Sequence, residues 1–209
     1  MDYSEFYDNL YDGIPRWDID YVQPEIAQLV NSNLLQGNVL DIGCGTGENA
    51  IYISKKGITV TGMDISLKAI TKAQNKAKLK DANATFLVDD ALNLKGNYKL
   101  FDTVIDSCLY HCIHEKEANQ YITSLEKLLV TGGNLYILCF SEFEPLEWGP
   151  RRIKEYELIQ FFQKNWKINF IRKAEIECRV YIRIKDDKGR ESNPPTKKVI
   201  GWLAHITKL

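Results

Sequence analysis

The stretch VLDIGCGTGENA, residues 39–50, decides the fold. An apolar run from Val39 to Ile42 is followed by glycines at 43, 45 and 47, and then by a helix-like segment. A short apolar run of this kind reads as a buried strand. Glycine tolerates positive φ and close backbone approach, so three of them at a strand-to-helix turn clear room for a ligand. In an open α/β sheet, ligands sit at such a turn, outside the carboxyl ends of the strands, and the following helix offers N–H groups to an anionic or polar group.

Outward from the turn, short apolar runs alternate with amphipathic ones. Strand-like pieces are NVLDIG (38–43), ITVTGMD (58–64), ATFLVD (84–89), FDTVID (101–106) and GNLYILCF (133–140). Between them ENAIYISKKG, SLKAITKAQNKAKLK and EKEANQYITSLEKLL carry apolar residues at three- and four-residue spacing, which predicts helices with one buried face. Ser66 is placed to cap the second, and Gly132-Gly133 is expected to stop the third. Strand and helix in this alternation predict parallel strands joined by right-handed crossovers, a doubly wound α/β sheet.

The order changes after Phe140. RRIKEYELIQFFQKN predicts a helix, and WKINFIRKAEIECRVYIRI and KVIGWLAHITKL predict two strands with no helix between them. Such a pair forms an antiparallel hairpin at a sheet edge, its loop stiffened by Pro194-Pro195. Before the sheet, YDGIPRWDIDYVQPEIAQLVNSNLL predicts a loop and a helix with Pro24 in its first turn, able to lie across the mouth of the sheet.

With 209 residues the chain is read as one domain, residues 1–209, made of an N-terminal segment (1–35), a ligand-binding core (36–141) and a substrate-side helix with the hairpin (142–209). Twenty-seven basic and 28 acidic residues leave a net charge of -1, which argues against a nucleic-acid partner. No apolar run is long enough to span a bilayer, and MDYSEFYDNLYDG lacks a secretory signal, so a cytoplasmic protein with no membrane partner is expected. Five cysteines, an odd number scattered through strand-like runs, fit reduced thiols.

Glycines alone leave NAD(P) open. The acids around them narrow the choice. Asp41 makes the pattern D-x-G-x-G-x-G, and position 48 is Glu where a dinucleotide turn has glycine. Asp64 ends the second strand, where a carboxylate can accept from both ribose hydroxyls, and Asp89 and Asp90 end the third, where one can accept from an adenine amino group. A ring of acids suits a cationic ligand without phosphates.

VLDIGCGTG, VTGMD, VDDAL and FDTVIDS, in this order, resemble the successive motifs of class I S-adenosylmethionine-dependent methyltransferases over residues 36–141. The resemblance implies a Rossmann-like, mostly parallel seven-stranded sheet, and S-adenosylmethionine as cofactor with S-adenosylhomocysteine as product. It implies that Asp41, Gly43, Cys44, Gly45 and Gly47 line the methionine side, that Asp64 holds ribose and Ile65 flanks adenine. Asp90 with the Ala91 N–H then reads the base, Asp90 being preferred to Asp89, and Asp106 joins the cofactor set. DGIPRWDIDYVQP and EWGPRRI look like the small-molecule branch that includes thiopurine and thiol or halide methyltransferases, with relatives acting on phenolic or quinone-like compounds.

The expected acceptor is a small molecule, a thiol ahead of a phenolic oxygen, since transfer to a soft nucleophile needs mainly positioning and desolvation. A phenol would gain from a base, and His111 is the candidate, its alternative being a core or backbone-bonding histidine. Trp17 offers a π face to the sulfonium or acceptor, or packs the N-terminal arm. Tyr110 is expected to line the pocket, and Arg151 and Arg152 either clamp an anionic substrate or form an exposed helix-start pair. Cys108, His111, Cys112 and His114 have the wrong spacing for a zinc knuckle, so no metal is expected. NPPT at 193–196 resembles an amino-group methyltransferase motif, but in the wrong place. A monomer or homodimer is expected. A macromolecule methyltransferase, a non-catalytic cofactor-binding partner and an NAD(P) oxidoreductase are the alternatives.

Overall fold

The structure, a computed structural model, describes residues 3–145, 149–180 and 196–209. Seven strands form one sheet: β1 (Val39–Ile42), β2 (Val60–Asp64), β3 (Thr85–Val88), β4 (Phe101–Ser107), β5 (Leu129–Phe140), β6 (Trp166–Arg179) and β7 (Thr196–Lys208), in the order β3-β2-β1-β4-β5-β7-β6. The first five run parallel to one another, and β7 runs antiparallel to both β5 and β6. Helices are α1 (Tyr3–Leu10), α2 (Pro24–Asn31), α3 (Glu48–Ser54), α4 (Leu67–Leu79), α5 (Ala118–Leu128) and α6 (Glu155–Phe161). The doubly wound sheet with its antiparallel pair at one edge is therefore as the sequence implies.

Strand β1 is buried throughout, which is why it reads as a continuous apolar run instead of an alternating one. Its neighbours divide between the two faces. Val39 packs with Ile105, Tyr136 and Leu138 under Ile26 of α2, Ile51 of α3 and Ile70 of α4. Leu40 and Ile42 pack with Val104 and Ile137 under Leu125 and Leu128 of α5 and Leu158 of α6. Helices on both faces bury both sides of a parallel sheet, and the break in strand order between β1 and β4 opens the crevice where the site lies.

Ser66 caps α4 as expected, its Oγ accepting from Ala69 N at 3.1 Å. Gly132-Gly133 does not stop the third predicted helix. Helix α5 ends at Leu128, and the glycines lie inside β5, where two residues of advance along β4 (Phe101 to Thr103) match five along β5 (Leu129 to Asn134). Gly132 has φ +80, so it supplies the left-handed residue that such a bulge requires. Helix α6 begins at Glu155, so Arg151 and Arg152 precede it and are not a helix-start pair. Pro194 and Pro195 lie outside the described residues. Helix α1, on which the sequence reading placed no element, carries Tyr3, Phe6 and Tyr7 over the cavity at the carboxyl ends of the strands.

Candidate active site

A cavity of about 600 Å3 opens at the carboxyl ends of β1, β2 and β4, floored by the Gly43–Gly47 turn and roofed by α1 and the loop behind it. Gly47 has φ +84 and opens α3, and a Cβ there would stand 2.7 Å from the Phe86 ring and 2.9 Å from Ala73 Cβ. Gly45, at φ +53, faces the roof, where a Cβ would stand 2.8 Å from the Tyr11 hydroxyl. Each glycine thus answers both a backbone conformation and a close approach.

Asp64 ties the turn to β2: one oxygen accepts from Gly45 N at 2.8 Å and the other from Ser66 N at 2.9 Å. Burial raises its pKa against these bonds. Asp64, Ile65, Asp90, Ala91, Gly43, Cys44, Gly45 and Gly47 all reach the cavity wall. Asp89 accepts from the N–H groups of Asp90, Lys95 and Gly96 and from the Tyr98 hydroxyl, which fixes it as the anchor of its own loop. Among the described residues Asp90 accepts from Leu92 N and Asn93 Nδ2 and is the less engaged of the two.

Asp41 is fully buried beneath the turn and is not on the cavity wall. Among the described residues neither of its oxygens has a hydrogen-bond partner, although the nearby Ala50 N–H favours its charged form. Desolvation, with Asp64 and Asp106 adding repulsion, raises its pKa to about 8. An orphaned buried acid beside two others is a poor neighbour for a pyrophosphate and a good one for a cation.

Asp106 is corrected. It too is fully buried and off the wall, with one oxygen accepting from Leu109 N and Tyr110 N and the other from the Tyr121 hydroxyl at 2.7 Å. It caps the loop after β4, where Cys108 sits at φ +78, and has no acceptor position directed at a ligand. Tyr110 is corrected as well: it is wholly buried among Tyr121 and Phe162, beneath the Arg151 guanidinium at 5.4 Å, and does not line the cavity.

The arginine clamp does not form. Arg151 donates to Ile113 O at 2.6 Å and to both oxygens of Glu157 at 2.7 and 2.8 Å, so its charge is paired inside the fold. Arg152 donates to the carbonyls of Glu144 and Pro150 and lies over the Phe140 ring at 5.1 Å. Neither reaches the cavity.

His111 does reach it, at 4% exposure, but not as a base. Its Nδ1 accepts from Phe140 N at 2.9 Å, which places the proton of the neutral ring on Nε2. Burial, with Arg152 and Arg151 nearby, lowers its pKa to about 3. A ring whose basic nitrogen is occupied and whose cation is this disfavoured cannot take a proton near neutrality. It can donate one hydrogen bond from Nε2.

Trp17, 41% exposed, lines the cavity mouth edge-on to Tyr7 and Tyr11, and its Nε1 donates to the Tyr11 hydroxyl at 2.9 Å. It packs against the arm and also borders the cavity. The sequence reading passed over Tyr3, Tyr7 and Tyr11, all on the wall. Their i, i+4, i+8 spacing in YSEFYDNLY is a one-face helical signal. Ser107, Phe140 and Cys178 also reach the wall, from strand ends distant in sequence. Among the described residues no group of three or more His, Cys, Asp or Glu side chains is placed to hold a metal ion, and no helix is long and apolar enough to cross a membrane.

Against known proteins, the family described as "Methyltransferase domain" matches residues 39–133. A 2-heptyl-1-hydroxyquinolin-4(1H)-one methyltransferase of Mycobacteroides abscessus is 34% identical over 165 residues, 78% of this chain and 73% of the relative. Thiocyanate methyltransferase 1 of Brassica oleracea is 30% identical over 62% of this chain and 58% of its own. A solved structure from a study of the conversion of a disulfide bond into a thioacetal group during echinomycin biosynthesis aligns with a TM-score of 0.85 and 31% identity, covering 99% of this chain and 92% of that one. Magnesium protoporphyrin IX methyltransferase of Synechocystis PCC 6803, solved with bound S-adenosylmethionine, shares the fold at a TM-score of 0.63 and 24% identity, over 88% of this chain and 76% of its own. Sheet order, glycine turn, acid ring and relatives converge: this chain belongs to the class I S-adenosylmethionine-dependent methyltransferases.

Proposed function

We propose that the chain methylates a small, largely apolar acceptor that arrives as a soft or already ionised nucleophile, a thiol ahead of an acidic hydroxyl. The observation that carries this is His111, the one imidazole on the described cavity wall, held neutral with its basic nitrogen on Phe140 N. The cofactor supplies an electrophilic methyl group. Gly43, Cys44, Gly45 and Gly47 hold its methionine part, Asp64 the ribose hydroxyls, and Ile65, Asp90 and Ala91 the adenine. Asp41, below the turn, holds its proton near neutrality, and a cation bound above the turn would favour its charged form. What the protein adds is position and the exclusion of water by α1, Trp17, Phe140 and Ile176.

Relatives named for thiocyanate and for a hydroxyquinolone support an acceptor of this kind. A hydroxyl oxygen is the second reading, favoured by His111 Nε2–H, which is available to hold an oxyanion. Residues from 1–35, 36–141 and 142–209 all border the cavity, which supports reading them as one catalytic unit. The test is a screen of thiols, phenols, N-hydroxy heterocycles and halides with labelled cofactor, followed by pH profiles of the active ones. The break in kcat/KM should move with the acceptor's own pKa; a break fixed near neutrality for every acceptor would restore an enzymic base and overturn the reading.

A further inference from the structure

The roof of the cavity holds one hydrogen-bond donor that the family motifs do not account for. Tyr11 is 3% exposed, lines the cavity, and its hydroxyl stands over Gly45. That oxygen accepts from Trp17 Nε1 at 2.9 Å, yet among the described residues its own proton has no acceptor. Burial and the nearby Asp64 carboxylate keep the phenol protonated. A buried hydroxyl that accepts but does not donate is half satisfied, and such groups in native proteins are explained by a ligand or water.

The backbone around it fixes the direction. Tyr11 N donates to the carbonyls of Tyr7 and Asp8 at the end of α1, and Lys72 Nζ of α4 holds Tyr11 O at 2.6 Å. The residue is thus pinned at its backbone N and O and its hydroxyl is held by Trp17, over the glycine turn. Its environment contains the acids Asp64 and Asp18 and the thiol of Cys44, so a carboxylate arriving there needs a donor directed at it.

We infer that Tyr11, polarised by Trp17, donates the hydrogen bond by which the roof recognises the carboxylate of the cofactor's methionine part. This rests on the methyltransferase reading and adds to it a cofactor-selecting residue outside the sheet. Trp17 is a positioning residue: a donor onto the Tyr11 oxygen strengthens the proton that oxygen in turn gives away.

The test compares two ligands that differ in the carboxylate alone, S-adenosylmethionine and its decarboxylated form, by calorimetry or by competition with labelled S-adenosylmethionine. Tyr11→Phe removes the hydroxyl and keeps the ring. It should weaken S-adenosylmethionine about tenfold, the magnitude of a hydrogen bond to a charged group, and leave the decarboxylated form within about twofold. Trp17→Phe should shift the same ratio in the same direction by about threefold. Equal losses for both ligands would make Tyr11 structural, and no loss for either would remove it from the site; both overturn the inference while leaving the methyltransferase reading intact. Failure of the unaltered protein to bind S-adenosylmethionine at all would overturn that reading instead.

Discussion

Asp41 is the residue whose physics runs against the fold most directly. Its carboxyl has an ordinary pKa near the acidic end and is raised to about 8 in the folded chain, so the folded state holds a proton that the unfolded state has released. The sign follows: this contribution to stability is complete below about pH 4 and is lost as pH rises to about 8. Asp41→Asn keeps the shape without the titration. The variant should gain stability relative to the parent as pH rises from about 5 to about 8, read by urea unfolding at each pH, and a difference independent of pH would contradict the assignment. His111 makes the complementary point. Replacing it with Ala removes the bond to Phe140 N and leaves a buried donor unpaired, a cost of about 1–3 kcal/mol, so Tm should fall for reasons unrelated to proton transfer. Both residues were visible in the sequence. Their burial was not, because a strand-end Asp and a loop His look alike whether they face a ligand or the core.

Among the elements, α4 does more than cover the sheet. Lys68, Lys72 and Lys76 recur at i, i+4 and i+8 along one face and grip the N-terminal segment: Lys68 pairs with Asp12 at 2.6 Å, Lys72 holds the carbonyls of Tyr11 and Gly13, and Lys76 reaches Thr46, Glu48 and Asp18. Asp8 in turn accepts from Ser66 Oγ and Lys68 N at the start of the same helix. Each exposed pair contributes little, about 0–1 kcal/mol, but the row acts together on α1 and its loop. Lys72→Met should therefore increase hydrogen exchange in residues 3–20 and raise KM for the cofactor, with global Tm changed by only a few degrees. A global Tm loss without local exchange would refute that division. Helix α4 was legible because its period, its Ser66 cap and its length all agreed. Gly132-Gly133 misled because a glycine pair signals a helix stop and a strand bulge equally, and only the β4 register distinguishes them.

At the scale of the molecule, the parallel half of the sheet could be read from short strand-like runs alternating with helical ones, of which β1 is buried along its whole length. The acid ring could be read too, because strand ends and ligand positions coincide in such sheets. The acceptor side could not. Its wall gathers Trp17, His111, Phe140 and Cys178 from four separate regions, a closeness no local pattern records. The core that unites them is sensitive: Leu125→Ala, emptying a fully buried site between α5 and the sheet, should cost about 2–5 kcal/mol in urea unfolding.

Strand β7 follows β6 in the chain yet lies between β5 and β6. The outermost strand therefore has nothing to pair with until the segment that comes after it has been made and inserted. Strand β6 in turn anchors the roof, since Arg179 N donates to Arg16 O at 2.7 Å and Glu177 and Gln23 exchange two hydrogen bonds. A chain truncated before residue 196 keeps every cofactor motif but leaves β6, and the roof contacts it carries, without the strand that joins it to the sheet.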